Sequence, residues 1–548
     1  MFKLDPLSSF VLLAIFVFCA LVVVYSLGFM KGRKQNPLYY SYILITTIAS
    51  CLAVLSNNFI LLLACWGFLG LLLYLLIIMG GPQAAPAAKK AFCLVGGTDV
   101  LMVLGVGILY YLTGTFRMDN IKIPLAGQAG ILPVIAYLCI AAGCFAKAGL
   151  MPFHTWIPDC AEAAPLPAVA FLPASLDKLL GIYLLARVSL DIFVMNQAMN
   201  MFLMLIGAFT IIAAVMMAMV QHNLKRLLGY HAVSQVGYMV LGIGTGNPIG
   251  IAGGLFHMFN NAAYKSCLFF AAGNVEYRKK TTELDNLGGL AKSMPITYLC
   301  CIVASLSISG VPPFNGFVSK WMIYQGLISG FTSAGSKFQI LVSAFCLVAA
   351  MFGSGLTLAS FIKLLHAVFL GQQEKPGTEE IKGEVSWTMW LPCCILAAVC
   401  VIFGIFAYQI PLKIFIYPVV GSVLFLGTWQ AVVSILLVVT GLFFGLWAFN
   451  LSRNKFVMRK DSAFIGGELV DLRDTRVTGT DFYNSIKNFG VLKGIYRKAE
   501  AGFFDIYEQG KKLFRLSWVF QYLHNGVLPT YLVWMLLGMM GLFFVLAR

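Results

Sequence analysis

The sequence predicts an all-α polytopic membrane protein with roughly fourteen to sixteen transmembrane helices. Three observations carry this. Apolar runs of spanning length recur along almost the whole chain. Charged residues make up only 11% of it, where soluble domains average about 25%. The runs are continuous and do not alternate, which favours helices over a barrel. A hydrocarbon core about 30 Å thick takes about 20 apolar residues per helix. Segments 6–30, 58–79, 92–112, 132–149, 201–220, 338–370 and 429–450 each supply such a run. The first is too long for a signal peptide and lacks a basic start and a cleavage site, so it reads as a retained helix.

Residues 1–450 read as the transmembrane core, 451–524 as a cytoplasmic segment and 525–548 as one final transmembrane helix. In the middle segment Phe482, Ile486, Phe489, Leu492, Ile495, Ala499, Phe503 and Ile506 recur at three- and four-residue steps. Lys487, Lys493, Arg497, Lys498 and Glu500 fall between them. The pattern predicts an amphipathic lateral helix over 481–513, up to about 50 Å long, lying on a membrane or partner surface. Gly490, Gly494, Gly502 and Gly510 weaken it, and the plainer alternative is a loosely helical tail.

The net charge of +16 reads as topology, not nucleic-acid binding. Lys31, Arg33 and Lys34, Lys89 and Lys90, Lys225 and Arg226, Arg278 to Lys280, and the basic residues of 453–460 all sit in short connections. An outside N terminus with alternating helices puts every one of these groups on the cytoplasmic side of a prokaryotic inner membrane. The fourteen cysteines include no CxxC. Cys300–Cys301 and Cys393–Cys394 lie inside apolar runs and read as small packing residues. No iron–sulfur, haem or zinc site is signalled, and there is no Walker loop, so any redox chemistry belongs to partner subunits.

Helix breakers inside the core mark the candidate site. Lys147-Ala-Gly-Leu-Met-Pro152 interrupts one apolar run, and Gly353-Ser-Gly355, followed by Lys363, interrupts another. Broken helices at membrane depth line polar cavities and tend to occur at corresponding places in inverted repeats, so two inverted repeats are expected. A charge at that depth costs a few kcal/mol and needs a partner or water. The ionisable candidates are Asp99, Lys147, Asp177, Lys178, His257, Lys265 and Lys363, with His366 as a nearby polar group. Lys147 could snorkel to the interface, whereas Lys265 and Lys363 sit well inside their runs. His257, Asn261 and Lys265, at i, i+4 and i+8, make a hydrophilic stripe on one helix face. Burial makes an ammonium costly and a nearby carboxylate offsets that cost, so moving the carboxylate's charge loads or unloads the proton.

These residues carry a family resemblance. MPFHTWIPDCAEAAPLPAVAFLPASLDKLLGIYLLAR (151–187) resembles the signature region of the antiporter-like subunits of respiratory complex I, Mrp-type cation/proton antiporters and membrane-bound nickel–iron hydrogenases. HNLKRLLGYHAVSQVGYMVLGIG (222–244), HMFNNAAYKSCLFFAAG (257–273) and LSISGVPPFNGFVSKW (306–321) are similar to three further blocks of that superfamily. The resemblance covers most of residues 1–410. It implies an antiporter-like fold and a proton relay through Lys147 on the first broken helix, Lys178, the His257/Lys265 pair and Lys363 on the second broken helix. The sequence departs from the pattern in three places. A Trp-Glu pair, whose glutamate controls the first lysine in the family, is here Trp66-Gly67, with no Asp or Glu between Asp5 and Asp99. A frequent second histidine is Asn261. Asp177 stands where many members are apolar. Either Asp177 or Asp99 supplies the missing carboxylate, or the first half-channel is inactive.

The opening LDPLSSF is similar to the family's third helix, which implies that two helices of larger members are absent. FLPASLDKLLGIYLL together with Gly466, Gly467 and Glu468 resembles the large membrane subunit of Ech-type energy-converting hydrogenase. That resemblance implies a non-catalytic, proton-translocating subunit with no cofactor of its own. Its partners would be other membrane subunits and peripheral subunits holding a NiFe centre and iron–sulfur clusters, with ferredoxin as the indirect electron donor. The alternatives are a subunit of a complex I-like quinone oxidoreductase, a subunit of an Mrp-type Na+/H+ antiporter, and a structural anchor with an inactive channel. No clustered carboxylates suggest a sodium cage.

Overall fold

The computed structural model describes residues 2–33, 35–125, 130–332, 336–371, 383–421, 431–453, 483–514, 517–524 and 526–546. Met1–Phe489 form one compact unit and Gly490–Arg548 a second. Helices of the first unit are α1 (Pro6–Phe29), α2 (Asn36–Leu55), α3 (Phe59–Ile78), α4 (Ala85–Thr113), α5 (Leu132–Ala148), α6 (Trp156–Ala163), α7 (Leu166–Phe171), α8 (Asp177–Arg187), α9 (Gln197–Met219), α10 (Leu224–Gly244), α11 (Pro248–Lys279), α12 (Pro295–Ser309), α13 (Asn315–Thr332), α14 (Lys337–Leu365) and α15 (Trp387–Ile405), with Tyr417–Val420 and Ala431–Arg453 beyond. Their starts follow from capping chemistry. Asp5 accepts from the Ser8 amide at 2.9 Å and the Ser8 hydroxyl holds the Asp5 amide at 2.8 Å, a capping box with Pro6 in the first turn. Asn58, Asn196, Asn223, Asn247 and Ser336 cap α3, α9, α10, α11 and α14 by accepting a first-turn amide on a side-chain oxygen.

By length and composition, eight helical spans among the described residues can cross a membrane. α10, α11 and α13 are long enough but carry buried polar residues. Leu132–Ala148, Pro295–Ser309, Val439–Ala448 and Leu528–Phe544 are shorter apolar helices. Together these make up the multi-pass all-α architecture expected from the sequence. α11 is the centre of the bundle, and every residue from Ile249 to Val275 is buried.

Two elements are interrupted. α5 stops at Gly149, whose φ of 85° and ψ of 40° no L side chain adopts readily, and α6 resumes at Trp156. α12 stops at Gly310, with φ of 81° and ψ of 41°, and α13 resumes at Asn315. The expected second break at Gly353-Ser-Gly355 is not one, because α14 runs through it without interruption. The true second break lies at Gly310, followed by Val311-Pro312-Pro313.

One face of the bundle joins Phe2 to Ser56, Asn58 to Arg117, and the two-residue strands β1 (Ile123–Pro124) and β2 (Phe193–Val194) in parallel. The other joins Leu224 to Thr282 and Ala291 to Phe369 through main-chain hydrogen bonds of 2.8 and 3.0 Å. α5 enters from the first face and α12 from the second, so the interrupted elements are inverted relative to each other. Glu384 seats the start of α12, accepting from the amides of Ile296 and Thr297 at 3.0 and 3.1 Å.

The second unit contains Gly490–Glu500, Ile506–Phe514, Ser517–Leu523 and Leu528–Leu546. The single helix predicted across 481–513 is divided. Gly502 takes φ of 72° and the Phe503 amide turns back to the Lys498 carbonyl at 3.0 Å, closing the first piece. Gly466, Gly467 and Glu468 lie outside the described residues.

Candidate functional site

Five lysines are buried to 1% exposure or less: Lys147, Lys178, Lys265, Lys320 and Lys363. Each ammonium donates to main-chain carbonyl oxygens, and among the described residues none has a carboxylate within salt-bridge distance. Lys147, in the last turn of α5, donates to Trp66 O at 3.1 Å and lies 4.5 Å from the Trp66 ring centroid. It does not snorkel. Lys178 donates to Pro173 O at 2.6 Å and Ala148 O at 3.2 Å. Both acceptors exist because the helices fail locally. Ala148 is the last residue before the left-handed Gly149, and Pro173 lies in the π turn Leu172–Leu176 between α7 and α8.

Lys265 on α11 donates to Leu228 O of α10 at 2.9 Å. Lys320 on α13 donates to Ile308 O at 2.8 Å, in the last turn of α12, and stands 4.6 Å from the Tyr238 ring centroid. Lys363 donates to Met219 O at 2.7 Å and Gln221 O at 2.9 Å, where α9 ends. The two breaks thus hold lysines in the same way. Lys178 sits on the stub of α5 before Gly149, and Lys320 on the stub of α12 before Gly310. Lys363, expected on the second broken helix, is on the continuous α14, and Lys320 occupies the break.

The sequence-predicted stripe on α11 fans out onto three neighbours. His257 bonds Ser319 Oγ through Nδ1 at 2.8 Å, and Gln235 Oε1 and the Tyr264 hydroxyl through Nε2, both at 3.2 Å. Asn261 donates to Ala174 O at 3.4 Å, and Lys265 turns to α10. Asp177 is fully buried, and neither of its carboxylate oxygens has a hydrogen-bond partner among the described residues. Asp99 is half-buried beside Trp66. Both carboxylates act on Lys147 through space. Gly67 is exposed on α3, and a Cβ there would meet nothing within 4 Å. His366 is half-buried in the π turn that follows α14.

Sequence reasoning missed Lys320 and His231. His231 on α10 is fully buried, bonds Ser360 Oγ at 2.7 Å, and feels the charges of Lys265 and Lys320. Lys265 in turn feels Lys178. His231 and Lys265 thus lie between Lys178 at the first break and Lys320 at the second, on α10 and α11. Next to Lys320, Ser354 Oγ pairs with the Tyr238 and Tyr324 hydroxyls at 2.9 and 2.7 Å. Gly353 permits this approach, since a Cβ there would lie 3.1 Å from the Tyr238 oxygen and 2.3 Å from Ile211 Cγ2. A third polar knot joins Asn260, Asn315 and Ser307 under the second break.

The bundle of long and interrupted helices is an antiporter-like membrane fold. Residues 56–369 match the family described as NADH:quinone oxidoreductase/Mrp antiporter, transmembrane, and the chain belongs to that family. It is a multi-pass protein of a prokaryotic inner membrane. Na(+)/H(+) antiporter subunit A1 of Staphylococcus haemolyticus is 32% identical over 429 residues, 74% of this chain and 52% of that one. The subunit A1 of Staphylococcus epidermidis is 30% identical over 404 residues, 71% and 50% respectively. The chain therefore spans about half the length of the curated relatives it matches. Among solved structures, the Mrp complex from Dietzia sp. DQ12-45-1b superposes with a TM-score of 0.68 at 21% identity, covering 76% of this chain and 83% of that one. The membrane-bound sulfane sulfur reductase, an archaeal respiratory membrane complex, gives 0.66 at 23% identity over 76% and 82%. These two likenesses concern the fold.

Proposed function

We propose that the chain is the ion-translocating subunit of a multisubunit membrane complex of Mrp antiporter type, and that protons move along Lys147, Lys178, Lys265, His231, His257 and Lys320. The observation that carries the reading is the seating of Lys147, Lys178, Lys265, Lys320 and Lys363 on main-chain carbonyls, with no carboxylate within salt-bridge distance among the described residues. A salt bridge would fix the charge, whereas a neutral carbonyl accepts from the ammonium without holding it against deprotonation. Protons can then pass when the charge on Asp177, Asp99 or a neighbouring station changes. Asp177 and Asp99 take the part of the acidic residue that Gly67 cannot supply. Lys363, which feels Asp285 at the basic face, lies at the end of the line. The Na(+)/H(+) exchange named for the relatives supports sodium as the countertransported ion.

The test is exchange in inverted vesicles carrying the intact complex, with a pH dye reporting proton movement on addition of Na+. Lys147→Ala, Lys265→Ala and Lys320→Ala are each expected to slow exchange at least about tenfold, as loss of a positioned proton-transfer group does, with the complex still assembled. Full exchange in all three overturns the relay.

A second reading keeps the redox-driven complex. The block FLPASLDKLLGIYLL favours it, with ferredoxin as donor and nickel–iron and iron–sulfur subunits as partners. The relatives reported above are named as antiporter subunits and not as hydrogenase subunits, so this reading stands second. Nickel and iron–sulfur clusters in the purified complex would reverse the order.

A further inference from the structure

Six cysteines meet where α11, α12 and α15 pack: Cys267, Cys300, Cys301, Cys393, Cys394 and Cys400. Most turn their sulfurs to the backbone or to hydroxyls. Cys267 faces the carbonyls of Cys300 and Cys393 at 3.8 and 3.5 Å, Cys393 faces Met389 O at 3.6 Å, and Cys301 faces Ser305. One pair is different. Cys300 Sγ on α12 and Cys394 Sγ on α15 face each other at 3.6 Å. Cys300 is buried, while Cys394 is only half-buried, next to the exposed Ile395 on the outer surface of the bundle.

We propose that Cys300 and Cys394 are a redox modification site, at which a peroxide joins the two thiols in a disulfide that ties α12 to α15. Peroxide is the oxidant class that fits, because it is small and uncharged and enters the bilayer region where this pair lies. Cys394 is the thiol it reaches first. The peroxide O–O bond breaks as the Cys394 sulfur takes one oxygen, giving a sulfenic acid and one water. The Cys300 sulfur then attacks the Cys394 sulfur, the S–O bond breaks, and a second water leaves. Two thiols and one hydrogen peroxide give one disulfide and two waters, with two electrons passing from sulfur to the peroxide oxygens. The sulfurs must close by about 1.5 Å to reach bonding distance, a movement within reach of side-chain rotation.

The link has a mechanical consequence. α12 is the first half of the second interrupted element, and its last turn holds Lys320 through Ile308 O. α15 already packs on the break itself, since a Cβ at Gly404 would lie 2.0 Å from Pro313 O. A disulfide at Cys300 clamps the other end of α12 to the same helix. That the clamp slows ion movement rests on the transport reading above.

The experiment uses the full chain in its native membranes. Membranes are exposed to hydrogen peroxide, free thiols are alkylated after denaturation, and digested peptides are weighed. A peptide linking Cys300 to Cys394, released by dithiothreitol and absent from Cys300→Ser and Cys394→Ser, is expected; Cys301→Ser and Cys393→Ser keep it. Full alkylation of both thiols after peroxide, or a link running through Cys301 or Cys393 instead, overturns the site. In vesicles, peroxide is expected to slow exchange reversibly in the unaltered chain and not in Cys394→Ser. A cross-linked chain that exchanges at the untreated rate overturns the clamp. If the lysine variants above leave exchange intact, the transport reading fails, while the linked peptide still decides the site by mass alone.

Discussion

An ammonium at bilayer depth costs a few kcal/mol unless something stands in for its water. Here carbonyl oxygens do so, one each for Lys147, Lys265 and Lys320 and two each for Lys178 and Lys363. A single carbonyl satisfies one of three ammonium protons, and Lys265 and Lys320 each add only an aromatic ring, Phe361 at 5.7 Å and Tyr238 at 4.6 Å, among the described residues. Replacing either by methionine removes the charge and keeps most of the volume. Lys265→Met and Lys320→Met are therefore expected to leave thermal stability unchanged or raise it, by up to about 1–4 kcal/mol, while abolishing exchange. Melting of the detergent-purified complex checks this; a clear loss of stability in both would mean that the lysines are structural. Lys147, Lys178 and Lys265 were legible in the sequence as charges inside apolar runs, and the snorkelling open to Lys147 is excluded by its burial. Lys320 was not, since Asn315, Gly316, Ser319 and Trp321 give its neighbourhood the composition of a loop. His231 was missed for a similar reason, lying among Ser234, Gln235 and Tyr238 on a helix polar along much of its length.

The same uncertainty recurs one level up, at the breaks. The sequence pointed to breaks at Gly149 and Gly353, yet the helices end at Gly149 and Gly310 and run on through Gly353. What separates them is proline. Gly149 is followed by Pro152 and Gly310 by Pro312 and Pro313, which cannot donate the amides that would carry the helix onward. Gly353 and Gly355 have no proline after them and stay helical. The two kinds of glycine respond to alanine in opposite directions. Gly149→Ala forces a side chain into the left-handed region, at about 1–2 kcal/mol, and brings its Cβ to 1.8 Å from Ile157 Cδ1. At Gly355 a Cβ meets nothing within 4 Å, so alanine there gains up to about 1 kcal/mol of helix propensity. Gly149→Ala is expected to melt below the unaltered chain and Gly355→Ala at or above it. A Gly149→Ala chain melting with Gly355→Ala would show that the first break does not depend on its glycine.

Across the first unit, the described charges are sorted onto two faces that are held together differently. On the face rich in lysine and arginine, Asp159 of α6 accepts from Lys90 of α4 at 2.6 Å and from Arg226 of α10 at 3.1 Å, and Glu162 takes the same guanidinium at 3.0 Å. Lys225 meets Glu276 at 3.1 Å beside them. On the opposite face Arg187 pairs with Asp5 and Asp191, and Lys3 with Asp119 at 2.8 Å. The basic connections around Lys90, Lys225 and Arg226 were legible as one group from their spacing, and they do meet on one face of the bundle; residues 454–460 lie outside the described residues. The acidic partners of that group were not legible, because Asp159 and Glu162 come from the segment after the break, and only the fold carries that segment beneath Lys90 and Arg226. Asp159 joins three helices around the first break, and the Lys90 side chain is only 11% exposed. Asp159→Asn replaces the carboxylate shared by Lys90 and Arg226 with a neutral amide and leaves Glu162 on Arg226. The expected loss is about 1–3 kcal/mol, between an exposed pair and a buried one. Asp119→Asn acts on side chains 46% and 32% exposed and should lose less than about 1 kcal/mol. Raising salt is expected to shrink the Asp119→Asn loss first and so widen the gap, since exposed pairs are screened most. Equal melting of the two variants at low salt would mean that Asp159 does not tie α4, α6 and α10 together.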